Sequence, residues 1–363
     1  MQLKPLTALA LLLIAMTSTL NAEIADMRSH YLPIKSFGDF IEEKSTNAGE
    51  KILISPMIKA PNHWDELVVS WNATTPGASW VKVEAKVIYP EKQTKFYALG
   101  NWSDNPDKHP RESVGRQRDE DGRVNTDVLM MKKSGGDIRL RVTLAGEAKL
   151  KYMGVSFVDS KADITPLESD HKAWGKIIST PERSQHSYPQ EQGWCSPTSL
   201  SMVLARWGDV LHRPELNMDV PEVAAGVYDE GFGTGNWPFN AAFAGKFPGM
   251  KAYITRLNDV VELEDWISAG IPVIISAPWH MLQPGRGDTG AGHLTVCIGF
   301  TAEGDFVIND PATNLKKGQK VQHIYKRADV VKAWKKSENT VYLVYPEDAK
   351  VPVDRFGHWD GGK

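Results

Sequence analysis

The chain has 363 residues, of which 41% are hydrophobic, 24% charged and 9% aromatic. This ordinary globular balance excludes a disordered or collagen-like chain, and the length suggests two domains. A formal net charge of −3 lacks the basic excess of a nucleic-acid binder. The two cysteines, Cys195 and Cys297, are too few for a disulfide-stapled scaffold or a zinc site of four thiolates.

Residues 1–22 combine a basic start at Lys4, an apolar stretch over residues 6–16 and a small, polar end at Ala22. That order fits a signal peptide cleaved after Ala22, since the apolar stretch falls short of the roughly 20 residues needed to span a bilayer. No later run is apolar enough to cross, so the mature chain is expected to be secreted or periplasmic, with no membrane span. Such compartments are oxidising, so the two thiols must either pair or have a reason to stay free.

Residues 50–158 read as strands. In residues 80–89, Val81, Val83, Ala85 and Val87 alternate with Lys82, Glu84 and Lys86, which is the period of a half-buried strand. Residues 137–146 repeat the pattern with Ile138, Leu140, Val142 and Leu144, and residues 66–71 and 151–158 are further candidates. Turn-rich segments between them suggest an antiparallel β-sandwich. Residues 101–123 are strongly polar and are expected to form surface loops; Asp119, Glu120 and Asp121 within them lack calcium-loop spacing. Asn72 and Asn101 open NAT and NWS, which fit the glycosylation acceptor pattern. Trp64, Trp71, Trp80 and Trp102 suit core packing, with stacking on a glycan as the alternative.

Residues 160–181 read as a linker. Beyond them, helical patterns mix with short buried strands, giving an α+β organisation. In residues 195–208, Leu200, Val203, Leu204 and Trp207 recur at helical spacing, Pro197 and Thr198 suit a first turn, and Gly208 suits the stop. Cys195 therefore stands at a helix N-terminus, where the dipole and free amides favour a thiolate and can hold an oxyanion. Residues 292–300 form an apolar strand that opens with His293, and residues 306–308 form another that delivers Asp310 ahead of Pro311. A carboxylate there can orient an imidazole, and the imidazole can serve a thiolate. His280, in the glycine-rich loop 277–292, is the rival base; that loop is expected to border the cleft as a flap. Trp194 is expected to pack beside the nucleophile. Cys297, in mid-strand, reads as a buried small hydrophobe.

The segments GWCSPTSLSMVLARWG, GHLTVCIGF and FVINDPAT resemble the C39-like group of papain-fold cysteine peptidases. The resemblance spans residues 178–346 and implies Cys195 as nucleophile, His293 as general base and acid, and Asp310 as the residue that orients it. It also implies an upstream glutamine whose amide helps form the oxyanion hole. Gln185, Gln190 and Gln192 are available, and the Ser-Gln pair points to Gln185. No metal or cofactor is implied. Members that process bacteriocins carry a transporter and an ATP-hydrolysing domain; this chain has neither a later apolar span nor a GxxxxGK[ST] loop.

The expected division is a signal peptide over 1–22, a β-sandwich-like domain with linker over 23–169 and a papain-like domain over 170–363. The expected function is a secreted cysteine peptidase or amide hydrolase acting on a peptide or other amide, with a glycan or cell-wall contact available to the first domain. The alternative is a non-catalytic cell-surface or glycan-binding protein that keeps the peptidase fold.

Overall fold

The computed structural model describes residues 28–61, 63–189, 193–283, 287, 288, 290 and 292–361. The expected signal peptide, Gln190, Gln192 and part of the expected flap lie outside them.

The N-terminal half is built from β1 (Ser29–Ile34), β2 (Ile41–Lys44), β3 (Glu50–Ile54), β4 (Glu66–Thr74), β5 (Trp80–Ile88), β6 (Tyr97–Trp102), β7 (Gly122–Asn125), β8 (Val128–Met131), β9 (Asp137–Ala145) and β10 (Lys149–Val158). They form two antiparallel five-stranded sheets, ordered β1-β10-β4-β8-β7 and β2-β3-β9-β5-β6. The alternation in β5 buries Val81, Val83, Ala85 and Val87 completely, and the register sets Val83 opposite Val142 and Val87 opposite Ile138. Glu84, expected on the solvent face, is buried as well. Arg141 of β9 holds it through a two-point pair at 2.6 and 2.8 Å, which supplies the counter-charge that burial demands.

The C-terminal half contains α1 (Cys195–Leu211), α2 (Val220–Val227), α3 (Trp237–Gly245), β11 (Met250–Arg256), α4 (Val260–Ser268), β12 (Val273–Pro278), β13 (Gly292–Phe300), β14 (Phe306–Asn309), β15 (Gln322–Tyr325), α5 (Arg327–Lys335) and β16 (Thr340–Pro346). Its six strands make one antiparallel sheet, β11-β16-β12-β13-β14-β15. Helix α1 packs on β13. Leu200, Met202, Val203 and Leu204 are wholly buried, each contributing roughly 1.5–3 kcal/mol relative to exposure. The helix continues past Gly208, where the sequence suggests a stop, and ends at Leu211 with His212 in the left-handed region. Gly208 serves packing instead: a Cβ there would lie 3.0 Å from the Arg213 carbonyl oxygen as the chain turns back.

The two halves share one hydrophobic core. Asn72 of β4 donates to the Ala252 carbonyl at 2.7 Å and accepts from the Ala252 amide at 3.1 Å. Glu66 of β4 pairs with the buried Arg256 of β11 at 2.9 Å. Phe239 of α3 packs against Trp71 and Trp102. Asn72 is thus sealed in the interface, so its acceptor-like tripeptide is inaccessible in the folded chain. Trp64, Trp71 and Trp102 are fully buried and Trp80 stacks on His109, so the first three present no face to a glycan. Residues 103–121 form a loop, but one clamped to the other half. Arg111 donates to the carbonyls of Ala225 and Tyr228 at 2.8 and 3.1 Å, and Ser113 donates its amide and hydroxyl to Asp229. The segment read as a linker also docks, with Trp174 and Ile177 bridging to Phe300 and Gly299 of β13.

Candidate active site

Cys195 is the first residue of α1. Gly193 just before it adopts a φ of 76°, a left-handed turn that glycine enters without strain and that swings the chain into the helix. Ser199 donates to the Leu294 carbonyl at 3.0 Å, fastening the first turn of α1 to β13 one residue from His293. His293 is the second residue of β13, opposite Ala277 of β12, and it is buried. Asp310 follows β14 directly, and its backbone amide is fixed by the Val321 carbonyl at 2.9 Å.

These placements bring Cys195, His293 and Asp310 together. The Nε2 of His293 bonds Asp310 Oδ1 at 2.8 Å, which leaves Nδ1 for the hydrogen bond between the imidazole and the Cys195 thiol. Burial alone would raise the thiol. The His293 hydrogen bond and charge, with the amides of Leu294 and Ser196, outweigh it and hold Cys195 below the usual thiol range. Burial likewise disfavours a charged His293, but Asp310 and Cys195 overcome it and raise the imidazole to about 10. Asp310 is lowered to about 2, against its burial, by His293, the Tyr325 hydroxyl and the Ala312 amide. The three groups can therefore hold a thiolate–imidazolium pair at neutral pH.

The carboxylate is itself oriented. Tyr325 of β15 donates its hydroxyl to Asp310 Oδ2 at 2.7 Å, and the Ala312 amide donates to Oδ1 at 2.8 Å. In the sequence, Tyr325 shows only as a tyrosine closing a short strand that follows the aspartate strand. His280 lies in a short 3-10 helix, Trp279–Leu282, with its ring edge-on to Trp279, and the Asp310 contact goes to His293 instead. Gln185 opens another 3-10 turn, Gln185–Ser187. Its amide donates to the Pro311 carbonyl at 2.9 Å, which tethers it beside the Asp310 turn. Its Oε1 is buried without a hydrogen-bond partner among the described residues. Cys297 is a second free thiol. It is fully buried, and burial pushes it up to about 12, so it stays protonated.

Cys195 borders a cleft of about 540 Å³. Trp194, Tyr228, Phe232 and Trp237 wall one part of it, and the turn between β7 and β8 contributes Asn125, Thr126, Asp127 and Val128. The N-terminal half thus supplies part of the cleft. A larger hollow of about 620 Å³, lined by Asp170, Lys172, Asp265 and Arg355 among others, includes none of the three clustered residues.

Residues 46–155 match the model of the Peptidase C39 N-terminal domain, and residues 177–342 match that of the Peptidase C39 like family. The two matches lie on the two halves of the fold and together account for most of the chain, which is thus similar to the Peptidase C39 like family over its C-terminal half and to the Peptidase C39 N-terminal domain over the other. A solved structure described as a C39-like peptidase from Bacillus anthracis aligns at 16% identity and a TM-score of 0.36, over 47% of this chain and 97% of the other. No curated protein matches the chain.

Proposed function

We propose that the chain is a cysteine peptidase or amide hydrolase of papain-like fold, in which Cys195, His293 and Asp310 act as a catalytic triad. One observation carries the reading: a thiol at a helix N-terminus is electrostatically coupled to an imidazole whose Nε2 is held at 2.8 Å by a buried carboxylate. The Cys195 thiolate attacks the carbonyl carbon of an amide, and the carbonyl π electrons move to oxygen. The Cys195 backbone amide and a side-chain amide, assigned to Gln185, receive that oxyanion. The His293 imidazolium gives its proton to the leaving nitrogen as the C–N bond breaks, leaving a thioester. His293 then takes a proton from water, hydroxide adds to the thioester, and the C–S bond breaks to release the acid and restore the thiolate. Tyr325 acts through Asp310 as a positioning residue.

The two N-terminal sheets form a β-sandwich domain in front of the catalytic one, and residues 1–22 direct export and are removed. No helix among the described residues is long and apolar enough to cross a membrane. N-terminal sequencing of the exported protein should begin at Glu23. The test of activity is exposure of a broad peptide library to the wild type and to Cys195→Ala, with products read by mass spectrometry. Cleavage by the wild type alone supports the triad, and equal cleavage by both rejects it.

A further inference from the structure

We infer that Asp127, carried into the cleft by the β-rich half, makes the site select substrates with a cationic side chain, lysine or arginine, within two residues of the scissile bond. The inference rests on Cys195 being the nucleophile. Asp127 sits in the turn between β7 and β8 and is the one charged residue among the described residues lining the cleft. The residue is 5% exposed. Oδ2 accepts the Trp237 amide at 2.7 Å, and among the described residues no other residue donates a hydrogen bond to the carboxylate.

Helix capping accounts for only one of its oxygens, since the Trp237 amide that Oδ2 accepts opens α3. Asn236 already caps α3, its side chain accepting from the Phe239 amide at 2.9 Å. A fixed counter-ion does not account for the other. Arg256 is the cation whose charge reaches Asp127, and it is already engaged by Glu66 and Glu338. A carboxylate that borders a cleft with no counter-ion of its own favours a bound cation. The remaining walls suit the stem of such a side chain. Tyr228 and Phe232 are about half exposed, at 51% and 53%, and with Trp194 and Trp237 they offer aromatic faces to an aliphatic chain ending in a positive charge. An acidic side chain would meet a like charge at the same place.

The charged and titratable groups that face Asp127 are Arg256 of β11, Asp229 after α2 and Tyr342 of β16. Burial and Asp229 raise Asp127, Arg256 and the Trp237 amide lower it, and the balance lies at about 7. Selection for a cation should therefore weaken as pH falls through that value, when the carboxyl becomes neutral.

The test uses peptidyl vinyl sulfones that carry lysine, leucine or glutamate at either of the two residues next to the reactive group. The Cys195 sulfur adds to the vinyl carbon, the adjacent carbon takes a proton, and alkylation is followed by intact mass. Iodoacetamide labelling, read separately, reports the thiolate without using the cleft. At one of the two positions the lysine probe should react about tenfold faster than the leucine probe, the size expected for one charge-assisted hydrogen bond, and the glutamate probe should be slowest. The lysine-to-leucine ratio should collapse in Asp127→Asn, which keeps the acceptor for Trp237. In the wild type, where folding of a variant is not in question, the ratio should fall as pH drops from above to below about 7. Equal lysine and leucine rates at both positions, or a ratio that survives Asp127→Asn, overturns the inference while Cys195 remains the nucleophile. Failure of iodoacetamide and every probe to label Cys195 overturns the nucleophile reading, and the inference falls with it.

Discussion

Asp310→Asn tests how much of the Cys195 reactivity comes from the buried carboxylate. The substitution keeps the shape of the side chain and an oxygen that accepts from both the His293 ring and the Ala312 amide. It removes the charge that holds the imidazole at about 10. A hydrogen bond to a charged group contributes about 1.5–3 kcal/mol, and about 1.4 kcal/mol is tenfold in an equilibrium. The ratio of the thiolate–imidazolium pair to the neutral thiol–imidazole pair should therefore fall by about ten- to a hundredfold. The assay is the rate of Cys195 alkylation by iodoacetamide across pH. In the wild type, the lowered thiol keeps alkylation fast below the usual thiol range, and the rate drops only as acid protonates the sulfur. In Asp310→Asn that drop should move to higher pH. An unchanged rate and profile would refute the reasoning, because the carboxylate would then contribute nothing to the charge on the ring.

Tyr325→Phe removes the 2.7 Å bond to Asp310 Oδ2 but keeps the ring, so peptide cleavage should fall about tenfold with little change in melting temperature; full activity would show that the carboxylate is oriented without it. Glu66→Ala removes the 2.9 Å partner of the buried Arg256 in β4 and leaves it with Glu338 alone, and denaturant unfolding should show a loss of about 1.5–3 kcal/mol; a loss near zero would mean that this pair does not join the halves. The His293–Asp310 pair should also make stability depend on pH. His293 is held above its ordinary 6.5, so its contribution is complete below that pH and fades as pH rises towards 10. Asp310 is held below its ordinary 3.8, so its contribution is complete above that pH and fades as pH falls towards 2. The melting-temperature gap between wild type and Asp310→Ala should be widest between 3.8 and 6.5, and a gap constant with pH would contradict the pairing.

The parts of the site that lie at the ends of single elements were legible in the sequence. The apolar spacing after Cys195 marks α1, the run after His293 marks β13, and the short strand before Asp310 marks β14. Each reading needs only local periodicity. The same holds for β5 and for β9 as far as Val142, whose inward residues are those the alternation selects; beyond it Thr143 is buried and Leu144 only partly so. What escaped depends on contacts between distant segments. Tyr325 reaches Asp310 because β15 pairs with β14, and Asp127 reaches the cleft because β8 pairs with β4 and the first half docks on α3. Glu84 reads as exposed because the strand period cannot reveal Arg141 on the neighbouring strand. Asn72 reads as a glycan acceptor because the tripeptide says nothing of β11, which covers it. The end of α1 is hidden for a related reason: Gly208 resembles a stop, and only the returning Arg213 carbonyl shows why it lacks a side chain.

The central claim is that Cys195 forms a covalent acyl intermediate with an amide substrate. The measurement that tests it most directly is rapid acid quenching of the wild type during turnover of a peptide taken from the library screen, followed by intact and peptide-mapped mass spectrometry. The account predicts a transient mass increase equal to the acyl half of the substrate, located on Cys195 and missing from Cys195→Ala. Continued cleavage with no acyl group on Cys195, or with the group on another residue, would contradict it.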